Sequence, residues 1–374
     1  MKVLTNTSST PYGGIARRVS EMVADTHHKS GVEIIVLGIG REKQTRRRID
    51  AGFHDVPLPD SIPKNVYANL DSHEGLLDRL EPIVNTIEKV IKKEKPDVAL
   101  IEGTYYAPWC IYQASKRANL PIVLLYAGIL REEIANWQGK LKEVAMRMEI
   151  DFYDPSTSYI FPSSLTKQKV EKEVFKTNLP KTAVIPNGIA LEFFADKLAK
   201  EWEGIGWVGR ATYVKRPNYL LQLAEGLRKL GMNYKIYMVT DARTEMHAEF
   251  TRAGIEVIPP MQTKQLRRFY QKRSVIISPS HFETYGNVPM EALAAGTPSL
   301  VSDKMGVAER FAELGLEECI TNFDDMPETI HKIEIAQTRR IPKEFIERLK
   351  RFTWSAIIEE YYKICRQAIE DKTR

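Results

Sequence analysis

The chain has 374 residues, with 54 Lys or Arg against 49 Asp or Glu, which leaves a net charge of +5. At about 150 residues per domain that length predicts two domains, each large enough to bury its own core. A composition of 43% apolar and 28% charged residues excludes wholesale disorder. Three scattered cysteines, Cys110, Cys319 and Cys365, exclude a disulfide framework or a zinc ribbon and fit a reducing, cytoplasmic compartment.

The amino terminus turns polar at Thr5 and Asn6 before the apolar core of a secretory signal develops. The longest uncharged, mostly apolar stretch, 118–130, contains Pro121 and Gly128 and falls short of the roughly 20 residues that span a bilayer. Positive charge is spread along the chain, so nucleic acid is not an expected partner. The densest basic cluster, 41–48, is either a solvated loop or a point of peripheral contact with anionic lipid or another acidic partner.

Short apolar runs at 3–4, 33–37, 97–101, 122–126, 158–161 and 183–185 alternate with amphipathic helical patterns such as 15–26 and 76–95. Uniformly apolar strands imply burial on both faces, as in a parallel sheet covered by helices. The series restarts at 205–209 and continues at 235–239, 255–258, 275–278 and 299–301, with helices predicted over 218–230 and from 288 onward. Two such series predict an α/β protein of two Rossmann-like, doubly wound parallel-sheet domains, 1–188 and 189–354, facing across a cleft. An aromatic-rich helix over 355–374 ends the chain. In sheets of this kind ligands bind beyond the carboxyl ends of the strands.

Three strand-end loops carry residues suited to chemistry. The first ends in Gly13-Gly14 before a helix. It either lets the backbone approach a phosphate at a helix N-terminus or is an ordinary turn that needs small residues. The second is Gly209-Arg210, with Lys215-Arg216-Pro217 shortly after. A planar fork beside a mobile point charge suits a diphosphate, unless both cations are simply solvated. The third runs from Pro279 through Glu283, Tyr285, Gly286 and Asn287 to Glu291, and Pro289 fits the first turn of a helix there. Backbone N–H groups of 285–287 and two carboxylates beside a helix N-terminus can grip a polyol phosphate. The alternative is a loop acid at Glu283 and a dipole-complementing acid at Glu291 in the first helical turn. No Asp-x-Asp and no clustered metal ligands are visible, so no metal is expected.

The third loop resembles the E-x7-E signature of retaining GT-B glycosyltransferases, in particular glycosyltransferase family four (glycosyl transferases group one). Four further stretches resemble that family in the same order: Gly13-Gly14, Ile185-Pro186-Asn187-Gly188, Val208-Gly209-Arg210 with Lys215, and Phe352-Thr353-Trp354. Together they cover nearly the whole chain. The resemblance implies metal-independent, retaining transfer of a hexose from a nucleotide-diphosphate sugar (UDP-, GDP- or ADP-linked) to a carbohydrate, lipid or small-molecule acceptor, with no other cofactor. It implies that Arg210 and Lys215 hold the diphosphate and that Gly14 lets the loop before it approach. Glu291 would take the ribose hydroxyls, and Glu283 with the amides of Tyr285, Gly286 and Asn287 would face the sugar. The carboxyl-terminal domain would bind the donor and the amino-terminal domain the acceptor, with the last helix crossing back to the latter.

One departure stands out. Many family members carry a histidine where this chain has Ala127. Glu102, Tyr126 and Arg131 are candidates to serve instead, unless the acceptor class differs or activity is reduced. Glu102 has a second reading as a helix-capping acid. Two other classes compete. A nucleotide-sugar 2-epimerase would resemble Ser-Gly-Gly-x-x-Glu-Glu, and Ser280-His281-Phe282-Glu283-Thr284-Tyr285-Gly286 argues against that. A non-catalytic nucleotide-sugar binder is kept open by the missing histidine.

Overall fold

The apolar runs pair into two all-parallel sheets, seen in a computed structural model that describes residues 1–7, 14–26, 31–40, 53–63, 65–70, 72–195, 201–241 and 244–373. The chain divides into two compact units, Met1–Pro186 with Trp354–Arg374, and Asn187–Thr353. The seam falls at Pro186, against the expected Gly188.

The first unit runs β1 (Lys2–Thr7), α1 (Gly14–Thr26), β2 (Glu33–Gly40), β3 (Phe53–Pro57), α2 (His73–Glu94), β4 (Val98–Glu102), α3 (Tyr106–Arg117), β5 (Ile122–Leu125), α4 (Leu130–Glu133), α5 (Gly139–Ile150), β6 (Ser158–Phe161), α6 (Ser164–Lys169) and β7 (Thr182–Val184). Its strand order is β3-β2-β1-β4-β5-β6-β7. Every residue of β4, β5 and β6 is buried, because helices cover both faces. Helix α2 shows how the local sequence sets its bounds. The Ser72 hydroxyl accepts the Gly75 N–H at its start, and Lys95 in the left-handed region (φ 49°) ends it just before Pro96. Leu76, Leu80, Ile83, Val84, Ile87 and Ile91 form its buried face, so Leu80→Ala should cost roughly 2–5 kcal/mol.

The second unit runs β8 (Ile205–Val208), α7 (Tyr219–Lys229), β9 (Ile236–Val239), α8 (Thr244–Arg252), β10 (Ile255–Ile258), α9 (Thr263–Gln271), β11 (Val275–Ser278), α10 (Asn287–Ala294), β12 (Ser299–Ser302), α11 (Val307–Glu313), β13 (Ile320–Thr321), α12 (Met326–Gln337) and α13 (Lys343–Leu349). Its order is β10-β9-β8-β11-β12-β13. Trp207, Leu220, Leu223, Met238, Ile277 and Ile333 are among its buried core.

The last helix, α14 (Trp354–Thr373), belongs to the first unit. It buries Trp354, Ile358, Tyr361, Tyr362 and Cys365, and Ser355 Oγ donates to Asp25 Oδ1 of α1 at 3.0 Å. No helix among the described residues is long and apolar enough to cross a membrane.

Candidate active site

In the second unit the strand order reverses between β8 and β11. The loops leaving two such strands diverge and open a crevice between them, the usual ligand position in doubly wound sheets. Those loops carry Gly209, Arg210 and Lys215 on one side and Glu283, Tyr285 and Gly286 on the other.

Backbone bonds shape the first loop. Gly209 N–H donates to the Val239 carbonyl at 3.1 Å, and Ala211 N–H to Asp241 Oδ1 at 3.2 Å. A Cβ on Gly209 would lie 3.0 Å from the Trp207 ring, so glycine lets the chain pass this buried indole. A single 3-10 turn, Tyr213–Lys215, follows, closed by Arg216 at φ 52°. The second loop clasps the first: His281 N–H donates to the Val214 carbonyl at 2.8 Å, and the His281 and Tyr213 rings stack with centroids 4.9 Å apart. Burial, with Arg216 and Lys304 nearby, holds the His281 pKa below its ordinary value. Neutral imidazole is therefore the form that stacks at pH 7.

The clasp brings Lys215 and Glu283 together. Lys215 Nζ forms an ion pair with Glu283 Oε2, and Ser280 Oγ donates to Glu283 Oε1 at 2.7 Å. Both oxygens of the carboxylate are thus engaged and its orientation is set. The main chain of this loop is tied to the β12–α11 turn, through Gly306 N–H to the Glu283 carbonyl at 3.0 Å and Val307 N–H to the Tyr285 carbonyl at 2.9 Å. Gly286 precedes α10 at φ 98°, and a Cβ there would lie 2.4 Å from Met305 Cε. Only glycine fits that position.

Several expectations shift at this site. Lys215 is not a solvated cation beside Arg210, because the clasp places Glu283 against it. Nor is Glu283 a solvated loop acid. Arg210 is exposed and forms no ion pair among the described residues. Glu291 lies in the second turn of α10 rather than the first, since the helix begins at Asn287. It is buried, and its Oε2 accepts from the Tyr270 hydroxyl at 2.9 Å. Asn287 Oδ1 accepts from Asn187 Nδ2 at 2.8 Å. Among the described residues no group of three or more His, Cys, Asp or Glu is placed to hold a metal ion.

In the first unit the order reverses between β1 and β4. The loop after β1 includes Gly13, which lies outside the described residues, as does the basic cluster 41–48; Gly14 is the first residue of α1. Glu102 ends β4 but neither caps a helix nor faces solvent. The residue before α3 is Tyr105, and Glu102 is sealed against Arg18 of α1, with Nη1 to Oε2 at 2.7 Å. Tyr361 of α14 is buried close to Arg18. Burial, partly offset by Arg18, pushes the Glu102 carboxyl up to about 7.

Tyr126 is likewise sealed. Its ring stacks on Phe161 at 5.3 Å, and burial, with Glu149 nearby, raises its phenol well above the ordinary range. Arg131 is held by Glu149 Oε2 at 3.2 Å and by the Glu173 carbonyl. Glu149 had no signal in the sequence, since it sits on α5, 19 residues beyond the loop it organises. Its carboxylate accepts from Leu130 N–H at 2.6 Å and Arg131 N–H at 3.3 Å and so caps α4. Of the groups proposed to replace the family histidine, the side chains of Glu102 and Tyr126 are fully buried. Ala127 itself is half-buried.

The family described as Glycosyltransferase Family 4 matches residues 12–193, and that described as Glycosyl transferases group 1 matches 191–347. The D-inositol 3-phosphate glycosyltransferase of Nocardiopsis dassonvillei is 23% identical over 343 residues, 82% of this chain and 79% of the relative. Sucrose-phosphate synthase from Thermosynechococcus elongatus superposes with a TM-score of 0.76 at 15% identity, over 99% of this chain and all of that one. Anabaena HepE in complex with UDP superposes at 0.69 with 16% identity, over 98% and 99% of the two chains. With a family match on each half and both sheets in the expected parallel order, the chain belongs to the GT-B glycosyltransferases of family four.

Proposed function

We propose that this glycosyltransferase moves a hexose from a nucleotide-diphosphate sugar to a carbohydrate, lipid or small-molecule acceptor, with retention and without a metal. The donor lies in the second unit, and the first unit receives the acceptor. The observation that carries this reading is the cluster Lys215–Glu283–Ser280, with exposed Arg210 on the same loop as Lys215, at the point where the strand order reverses. The UDP held by the Anabaena relative supports a nucleotide donor.

The chemistry demanded of the site is charge stabilisation. Negative charge grows on the diphosphate as the glycosidic bond breaks, and cations aimed at it strengthen in the transition state. Arg210 takes this role directly. Lys215 shares it by exchanging part of its contact with Glu283 for a phosphate oxygen, and the amino end of α10 adds N–H groups. Glu283 faces the sugar, and Glu291 takes the ribose hydroxyls while Tyr270 fixes its carboxylate. The acceptor attacks from the face the diphosphate leaves, and a donor phosphate oxygen takes its proton.

The test is a panel of UDP-, GDP- and ADP-sugars with broad acceptors, assayed for diphosphate release with and without a strong chelator. Turnover that survives chelation, with the anomeric configuration kept in the product, is the expected result. Activity lost to the chelator and restored by magnesium or manganese would overturn the metal-free assignment. Binding without turnover would leave a nucleotide-sugar binder.

A further inference from the structure

Helix α9 carries Gln265, Arg268 and Phe269 on one face, Lys272 caps its end at the same spacing, and these residues wall an open groove of roughly 470 Å³. The groove runs from Ile258, at the carboxyl end of β10, to Arg273, just before the amino end of β11. Glu283 follows the opposite end of β11. The basic end of the groove is therefore separate from the site described above.

Arg273 is the unusual group. It is only 6% exposed, and its guanidinium lies 3.6 Å over the Tyr237 ring and 5.1 Å from the Phe269 ring. Its contact with the Tyr237 side chain leaves Nε and Nη1 without a hydrogen-bond acceptor. No carboxylate lines the groove, and among the described residues Arg268, Lys272 and Arg273 form no ion pair. The acid that accepts from the Tyr237 hydroxyl, Glu203, does so at 2.6 Å and is also paired with Lys235 at 2.8 Å.

A second guanidinium meets the Arg273 main chain. Arg340 Nη1 donates to the Arg273 carbonyl at 3.1 Å, its plane stacks on Trp202 at 3.6 Å, and its Nε and Nη2 also find no acceptor. Burial with no compensating acid pushes Arg340 down to about 10.

Buried donors without acceptors are costly. An anion in the groove would remove that cost. A guanidinium already held by stacking loses little further entropy when it turns a donor toward the groove, and its planar fork suits a tetrahedral phosphate better than a mobile lysine does. The rest of the wall is apolar: Pro259, Pro260, Met261 and Phe269 continue away from the charge.

We propose that this groove is a second ligand site, which binds a phosphomonoester through Arg273, Arg268 and Lys272 and accommodates an apolar substituent along the Pro259–Met261 wall. The phosphomonoester comes from either a soluble metabolite or a lipid headgroup.

The test uses the full chain with Arg210→Ala and Lys215→Ala already in place, so that binding at the donor loops does not contribute. Thermal unfolding is followed against inorganic phosphate and against phenyl phosphate, with chloride at matched ionic strength as the reference. Saturable stabilisation is expected, tighter for phenyl phosphate. It should weaken at least tenfold in Arg268→Ser/Lys272→Ser, whose exposed positions carry little folding penalty, and disappear in Arg273→Met. Flotation with phosphatidylcholine vesicles, with and without phosphatidic acid, separates the sources. Arg273-dependent capture by the acidic vesicles assigns the lipid headgroup, and phosphate binding without capture assigns the soluble ligand. Stabilisation no greater than chloride gives, with no capture, overturns the proposal. So does stabilisation that the Arg268/Lys272 double variant leaves intact.

Discussion

Each unit places a cation against a glutamate at the carboxyl edge of its sheet, and the two pairs differ chiefly in burial. The Arg18 and Glu102 side chains are 2% and 0% exposed, whereas those of Lys215 and Glu283 are 23% and 13% exposed. A sealed pair cannot exchange partners with a ligand, because opening it would strand two charges in low dielectric. A pair at the edge can trade one contact for a phosphate or a hydroxyl at modest cost. A cation–glutamate pair thus fastens a helix to a strand in one place and stays partly exposed at a loop in the other.

Four experiments break or sharpen this division. The largest effect should come from Glu102→Ala, which strands the Arg18 guanidinium and costs about 3–5 kcal/mol of stability by urea unfolding. A large fall in turnover with stability unchanged would show instead that the sealed pair reaches substrate.

Next is Arg210→Ala, which should lower the single-turnover rate at saturating donor by about 100-fold, on the scale of one preorganised donor. Lys215→Ala should behave similarly, and the double variant should fall short of the product, since both act on one diphosphate. Neither should change stability by more than about 1 kcal/mol. A rise in donor KM alone, with the chemical rate intact, would make both residues uniform binders.

The third experiment uses pH. The Glu102 carboxyl titrates at about 7 when folded, and near 4.3 when unfolded, at roughly its peptide value. Across that window the folded chain keeps a proton that the unfolded chain has released. Its stabilising contribution is full below the lower value and is lost as pH rises through the upper one. Glu102→Gln stays neutral throughout, so its stability relative to wild type should improve between pH 5 and pH 8. A constant difference in urea midpoint would place the carboxyl outside that range.

The smallest effect is that of Glu291→Gln, which keeps a partner for Tyr270 yet removes the charge. Affinity for the bare nucleotide should weaken several-fold, about 1 kcal/mol, whereas Glu283→Gln should act mainly on the sugar nucleotide. Equal effects on the bare nucleotide would contradict the separate roles.

Much of this was legible in the sequence, for reasons that burial explains. Strands such as Val98–Glu102 and Val275–Ser278 lie mid-sheet with both faces covered, so every position is apolar or engaged. Edge strands lack that constraint. Phe53–Pro57 buries one residue of five, Ile320–Thr321 has only two residues, and neither showed a pattern. The loop motifs were legible as residue types, but their pairings were not. Lys215 meets Glu283 across 68 positions and Arg18 meets Glu102 across 84. Glu102 and Glu283 both follow an apolar run, and nothing local separates the sealed acid from the accessible one. That difference is made by α1 and α14, whose Arg18 and Tyr361 bury the first acid completely, whereas Lys215 leaves the second partly exposed.

The return of α14 to the first unit also sets an order in time. Residues 187–353 are contiguous, so the second unit has all its parts as soon as they emerge from synthesis. The first unit is missing a wall until the last helix arrives. Until then the Arg18–Glu102 pair lacks Tyr361 and Trp354, the latter 5.7 Å from the Arg18 guanidinium. Lys181 also lacks Asp371, its partner at 2.8 Å. The half made first is thereby completed last, and a nascent chain stopped before Trp354 would carry a finished second unit on an open first one.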